Sequence, residues 1–265
     1  MVFAVTGRGK MNGQESSKVE VGSWVIGYWR PKLHFEVNVW NCFERRLKKL
    51  SSALRQGDPL SSSVVSESIS DVISGDAQGC LVCGDCRRLL SMVPDKSAHL
   101  VITDPPHNDR VPYLELSEFW NSLLGFTSDL QNEIVISNAK ERRKTPDAYA
   151  EGMQEFFSQV TRTLHPDGLL LVLFNTSKVH EWQIFKPWFD AIADGKDLPL
   201  HYLGHFPCAY SATSVVQDNR KGSLKTDHAL VFGKSKGGAT RNTHLAALES
   251  IPAWSTQPPA NAEKG

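Results

Sequence analysis

The sequence predicts an α/β fold with a mostly parallel sheet and helices on both faces, and three observations lead there. From residue 80 onward, short apolar runs alternate with amphipathic stretches, the β-α-β rhythm of a parallel sheet. Residues 169–174 are apolar at every position, as a strand buried on both faces requires. With 265 residues, 40% of them apolar, the chain can bury a substantial core in one principal domain.

Taken in order, residues 23–29 form an apolar and aromatic stretch that turns at Arg30-Pro31. Val39, Phe43, Leu47 and Leu50 then recur at three- and four-residue steps, so an amphipathic helix follows a short strand. This makes residues 1–50 an N-terminal strand-helix segment. Residues 51–79, rich in Ser, Gly and Asp, suit a loosely ordered connection or a surface helix and are taken as a linker. The principal domain spans residues 80–234. In it, residues 80–84 are strand-like, 85–92 helix-like and 99–103 a short apolar strand. A helix is expected over 147–164, a turn at His165-Pro166-Asp167-Gly168, and the buried strand at 169–174. An aromatic-rich helix near 181–193 and strands near 201–209 and 229–232 complete it. Residues 235–265, rich in Gly, Ala, Thr and Pro, are expected to be disordered.

Charge and cysteine content narrow the function classes. Twenty-nine Lys+Arg balance 29 Asp+Glu, so there is no global attraction for nucleic acid, and any such partner must be argued from local patches. Five cysteines do not make a disulfide scaffold. No apolar run reaches the roughly 20 residues of a membrane helix, and the N-terminus lacks a signal-peptide pattern, so a soluble, cytoplasmic protein without a membrane partner is expected.

The segment that carries chemistry is Asp104-Pro105-Pro106-His107, directly after the strand at 99–103. In open α/β sheets ligands bind at the carboxyl ends of strands, and this segment sits there. Prolines fix φ and lack amide donors, so the carbonyls of Asp104 and Pro105 can accept hydrogen bonds from a ligand. An exocyclic amine on adenine or cytosine suits such acceptors. Two acceptors gripping its hydrogens favour a pyramidal nitrogen with its lone pair aimed at an electrophile. The fourth residue, His107, would stack on a base swung out of its helix.

Residues 83–107, from Cys83-Gly84-Asp85-Cys86 through Thr103-Asp104-Pro105-Pro106-His107, resemble the core of S-adenosylmethionine-dependent amino-methyltransferases that act on DNA. Residues 111–120 resemble a subgroup of bacterial and archaeal adenine-specific DNA methylases described by a domain of unknown function. The resemblance extends over about residues 24–234. It implies a Rossmann-like methyltransferase fold, S-adenosylmethionine as cofactor and DNA as partner. Methyl transfer would be to N6 of adenine or, second, N4 of cytosine. It also implies Asp104, Pro105, Pro106 and His107 as the catalytic motif, with Asp85 as the contact to the adenosyl part of the cofactor and Asp104 beside it. Residues 164–174 resemble the family's fifth strand and the turn before it, and residues 227–234 its last, antiparallel strand.

The chain departs from the family pattern at His107, where the family has Tyr, Phe or Trp, and in the glycine loop at the cofactor's methionine end. Gly7-Arg8-Gly9 is a weak match to that loop. The chain therefore reads as the C-terminal part of such an enzyme, its first strands missing or provided by a separate polypeptide carrying that loop. An inactive or partner-dependent nucleic-acid-binding remnant stays open beside the enzyme, as does an RNA or protein-glutamine substrate.

The remaining features have plainer readings. Lys140, Arg142, Arg143 and Lys144, in the connection after the motif helix, are the candidate nucleic-acid contacts, ahead of Arg45, Arg46, Lys48 and Lys49. Cys80, Cys83 and Cys86 recur every third residue, but three clustered ligands fall short of a closed site, so no metal is assigned. Trp24, Trp29, Trp40, Trp120, Trp182 and Trp188 are expected mostly in the core. Asn108, Asp109 and Tyr113 are candidates to line the pocket.

Overall fold

The structure is a computed structural model that describes residues 2–6, 10–11, 14–15, 20–21, 34–36, 39–56, 64–106, 113–137, 139–176, 179–209, 226–234, 246–260 and 262. The chain divides into two units, residues 1–63 and 64–265.

In the first unit, β1 (Val2–Thr6) pairs antiparallel with β4 (Glu20–Val21) and β5 (His34–Glu36), and β2 (Lys10–Met11) with β3 (Gln14–Glu15). Helix α1 (Val39–Gln56) carries the expected 39/43/47/50 stripe and runs six residues past Leu50. Trp40 is 70% exposed rather than core. Trp24 and Trp29 lie outside the described residues.

The second unit opens with β6 (Val65–Ser66), α2 (Ile69–Ser74) and β7 (Gly79–Cys80), where a linker was expected. Val65 pairs with Gly79 and Ser66 with Cys80, in parallel. The serines that read as a connection act as local acceptors and donors here. Ser66 Oγ takes the Ser68 amide at 2.9 Å and donates to Asp71, and Gly75 ends the helix at φ +87°. Of the strand expected at 80–84, only its first residue is in β7.

Next come α3 (Cys86–Ser91), β8 (Ala98–Thr103), α4 (Tyr113–Leu124), a 3-10 turn (Lys140–Arg142) and α5 (Pro146–Thr163). Then follow β9 (Leu164–Phe174), a second 3-10 turn (Val179–Ile184), α6 (Lys186–Asp194), β10 (His201–Ala209) and β11 (Thr226–Gly233). The sheet order is β10-β11-β9-β8. β8 and β9 are parallel, while β11 is antiparallel to both β9 and β10, so three of the four strands point one way and the last is inserted against them. This is the α/β arrangement that the alternation of runs predicts, and the antiparallel last strand is the one that the resemblance implies.

The core lies on one face of this sheet. Leu170, Val172 and Phe174 of β9 are fully buried, with Leu230 and Phe232 of β11 beside them. Against them α5 presents Tyr149, Met153, Phe156, Phe157 and Val160, a three-to-four-residue stripe. Trp182 and Phe185 meet the Phe174 ring edge-on at centroid separations of 5.1 and 5.0 Å. Burial of each such side chain contributes about 1.5–3 kcal/mol. Trp120, by contrast, is 63% exposed on α4.

The predicted turn at 165–168 is a bulge inside β9. Ala98 pairs with Leu164 and Leu100 with Leu169, so β9 advances five residues while β8 advances two. Gly168 lies where a Cβ would come within 2.8 Å of the Ala98 carbonyl oxygen.

On the other face, residues 246–255 pack against β10 and β11, which corrects the expectation of disorder throughout 235–265. Leu248 joins Leu203 and Val231 in a second cluster flanked by Ile251 and Trp254. Ser255 exchanges backbone hydrogen bonds with His205 at 2.8 and 2.9 Å. Gly204, at φ +152°, admits the Trp254 ring, which a Cβ there would meet at 2.4 Å.

The buried His205 ring lies 4.9 Å from that of His228, and its Nδ1 is 2.9 Å from the Tyr202 hydroxyl. Burial holds both histidines below the ordinary imidazole range, and their mutual repulsion lowers His205 further. The unfolded chain thus takes up protons first. Stability contributed by the neutral pair is complete above the unfolded value of about 6.5 and is lost as pH falls below it toward the folded values. The urea midpoint is expected to drop between pH 7.5 and 5.5, and His228→Phe to flatten that slope. An equally steep slope in the variant would show that other groups set it.

Candidate active site

β8 ends at Thr103, beside Val172 of β9, and delivers Asp104 to the carboxyl edge of the sheet. The three motif residues within the described structure differ in environment: Asp104 is exposed, Pro105 is buried and Pro106 is half-buried. The Pro106 carbonyl accepts a 2.7 Å hydrogen bond from the Tyr149 hydroxyl of α5. α5 begins at a capping Thr145, whose Oγ1 accepts from the Ala148 amide at 3.2 Å, with Pro146 in its first turn. His107, Asn108 and Asp109 lie outside the described residues. Tyr113 is exposed at the start of α4, where Glu133 accepts the Leu114 amide at 3.0 Å.

The same edge carries polar residues not singled out from the sequence. Asn175 and Thr176 follow β9, both buried. The Asn175 amide donates to the Thr226 carbonyl at the start of β11, and the Thr176 hydroxyl to the buried Glu181 carboxylate. The rule that points to Asp104, a polar residue just beyond a buried strand, points equally to Asn175-Thr176. Tyr149 leaves no such signal, because its place on an apolar helical stripe reads as core.

Asp85 caps α3, accepting the Arg87 amide at 3.0 Å. The Arg87 guanidinium also holds both its carboxylate oxygens, each at 2.9 Å. Those hydrogen bonds hold the Asp85 carboxyl below its ordinary range and raise Arg87. Arg87 reaches on to Glu155 of α5 at 2.8 Å and to the Asn132 carbonyl at 3.2 Å.

The basic segment divides in two. Arg142 is 9% exposed in its side chain and bridges Glu115 at 2.7 Å and Glu133 at 3.0 Å. Lys144 donates to the carbonyls of Gln131 and Glu133, and desolvation, followed by repulsion from Arg142, lowers its pKa. Both are ties within the fold. Lys140 and Arg143 are exposed.

Cys80 is half-buried and Cys83 and Cys86 are exposed. Among the described residues no group of three His, Cys, Asp or Glu side chains is placed to hold a metal ion, and no helix is long and apolar enough to cross a membrane.

No protein-family model matches the chain, and no curated protein does. Among solved structures, a protein provisionally described as a DNA modification methylase from Thermus thermophilus matches at 16% identity, over 58% of this chain and 53% of its own, with a TM-score of 0.33. Its selenomethionine derivative matches at the same identity over 52% of its own chain, with a TM-score of 0.32. The cytosine-N4-specific PvuII DNA methyltransferase matches at 15% identity, over 58% of this chain and 49% of its own, with a TM-score of 0.35. This chain thus spans about half the length of the structures it matches. At this level of likeness none of their chemistry carries over.

Proposed function

We propose that the chain is a DNA amino-methyltransferase that holds the exocyclic amine of adenine at N6 or, second, of cytosine at N4, for methylation by S-adenosylmethionine. The observation that supports this most is the place of Asp104-Pro105-Pro106 at the carboxyl end of β8, in a sheet whose last strand is inserted antiparallel. An exposed carboxylate followed by two prolines offers acceptors and no amide donors, the complement of an NH2 group. Asp104 and the Pro105 carbonyl grip the two amine hydrogens and turn the nitrogen lone pair outward. His107 stacks on the base. Lys140 and Arg143 take the phosphates of the DNA strand.

S-adenosylmethionine supplies the electrophilic methyl group when bound. Asp85, the contact that the resemblance implies, has both oxygens on Arg87 and does not fit that task as it stands. Gly7-Arg8-Gly9 lies outside the described residues. The described residues therefore lend support to the amine side of the proposed reaction only. The commitment of Asp85 favours a second reading, a partner-dependent nucleic-acid-binding subunit whose cofactor loop comes from a separate polypeptide.

Calorimetric titration of S-adenosylmethionine into the chain, with labelled-methyl transfer to DNA, RNA and protein, separates these. Saturable binding and label in DNA, recovered as N6-methyladenine or N4-methylcytosine, are expected. Binding only after a second polypeptide is added selects the subunit reading. Label in protein alone overturns both. With stacking as the limit on the rate, His107→Tyr raises transfer.

A further inference from the structure

We infer that Tyr149 is a positioning residue for the amine-binding turn, setting the Pro105 carbonyl and the Asp104 carboxylate through the backbone of Pro106. This rests on the function proposed above. Pro105 and Pro106 have no N–H, so after β8 ends this stretch of chain cannot be fixed by its own amide donors. A carbonyl can hold it instead, and at Pro106 the carbonyl takes the Tyr149 hydroxyl at 2.7 Å.

Tyr149 is a firm reference point. Its side chain is 2% exposed, within the core cluster that α5 forms with β9 and β11. Its amide makes the first-turn bond to the Thr145 carbonyl at 3.0 Å. Two further ties fix α5 itself: Arg87 joins Glu155 to the start of α3, and Arg162 donates to the Leu90 and Val93 carbonyls at 2.7 and 2.9 Å. The turn is thus located twice, along the chain from β8 and across the core from α5. Acceptors that must meet two amine hydrogens at once tolerate little play, and an error near 1 Å in such a geometry costs about 10²-fold in rate.

Tyr149→Phe keeps the ring and removes the hydroxyl. The expected result is a fall in kcat for methyl transfer of about 10- to 100-fold. The KM for S-adenosylmethionine should stay within about twofold, since the hydroxyl acts on the amine side of the reaction. The Pro106 carbonyl carbon resonance should move upfield as its hydrogen bond is lost. An unchanged kcat overturns the inference. So does a loss of activity that follows only the fraction unfolded in urea, because the hydroxyl would then serve stability alone. If the wild-type chain methylates no substrate, the proposed function fails instead. The carbonyl resonance then decides on the contact itself, and an identical resonance in Tyr149→Phe overturns it.

Discussion

Replacing Asp104 by alanine should lower methyl transfer by about 10²- to 10³-fold, the scale seen when one preorganised hydrogen-bonding group is removed from a reacting centre. Asp104 is exposed at the end of β8 rather than packed in the core, so its removal opens no cavity there. Asp104→Asn retains one acceptor oxygen and should lose less activity than the alanine variant. Single-turnover transfer of labelled methyl to DNA gives the rate, and urea unfolding the stability. Transfer by Asp104→Ala within a few-fold of wild type would remove Asp104 from the reacting centre, and the proposed function with it.

Arg142→Met is expected to cost about 3–5 kcal/mol of folding stability and to leave the salt dependence of DNA binding unchanged. The Arg142, Glu133 and Glu115 side chains are 9%, 7% and 20% exposed, so removing the cation takes a close counter-charge from two carboxylates with little water to take its place. The guanidinium also satisfies the Leu130 carbonyl at 2.9 Å. The neighbours should behave in the opposite way. Lys140→Ala and Arg143→Gly, the latter suited to φ +51° at that position, should leave unfolding nearly unaltered. Each should lower the slope of log affinity against log salt by about 0.7–0.9. A reduced salt slope in Arg142→Met, with unfolding unaltered, would reverse these assignments.

Strands β8 and β11 and the 169–174 part of β9 were legible because each holds a short apolar run, and α5 because its buried residues recur at helical spacing. Position relative to a strand end was enough to place Asp104 at the carboxyl edge of the sheet. The division of labour within the basic segment was not legible. Whether Arg142 meets phosphate or carboxylate depends on Glu115 and Glu133, 27 and 9 positions away, and local spacing says nothing of such a contact. The same holds for Asp85, which reads alike as a ligand contact or as the N-cap of α3 and the partner of Arg87. Residues 64–79 and 246–255 were read as a connection and as disordered for a different reason. Their polar and small residues read as breakers, while a few side chains among them, Ser66, Leu248 and Trp254, make the contacts that hold them in place.

Among the described residues β8 is an edge strand of the four-stranded sheet, with Leu100 and Ile102 56% and 62% exposed. Its sequence, Ala-His-Leu-Val-Ile-Thr, has no Asp, Glu, Lys or Arg and no proline, the composition that adds strand to strand between molecules. Lys96 and Asp104 are the charges that bracket it, so the motif carboxylate also stands as a gatekeeper against edge-to-edge aggregation. A variant that neutralises it removes that safeguard along with the oxygen proposed to hold the amine, and concentrated stocks of Asp104→Ala are expected to clump where wild type stays dispersed.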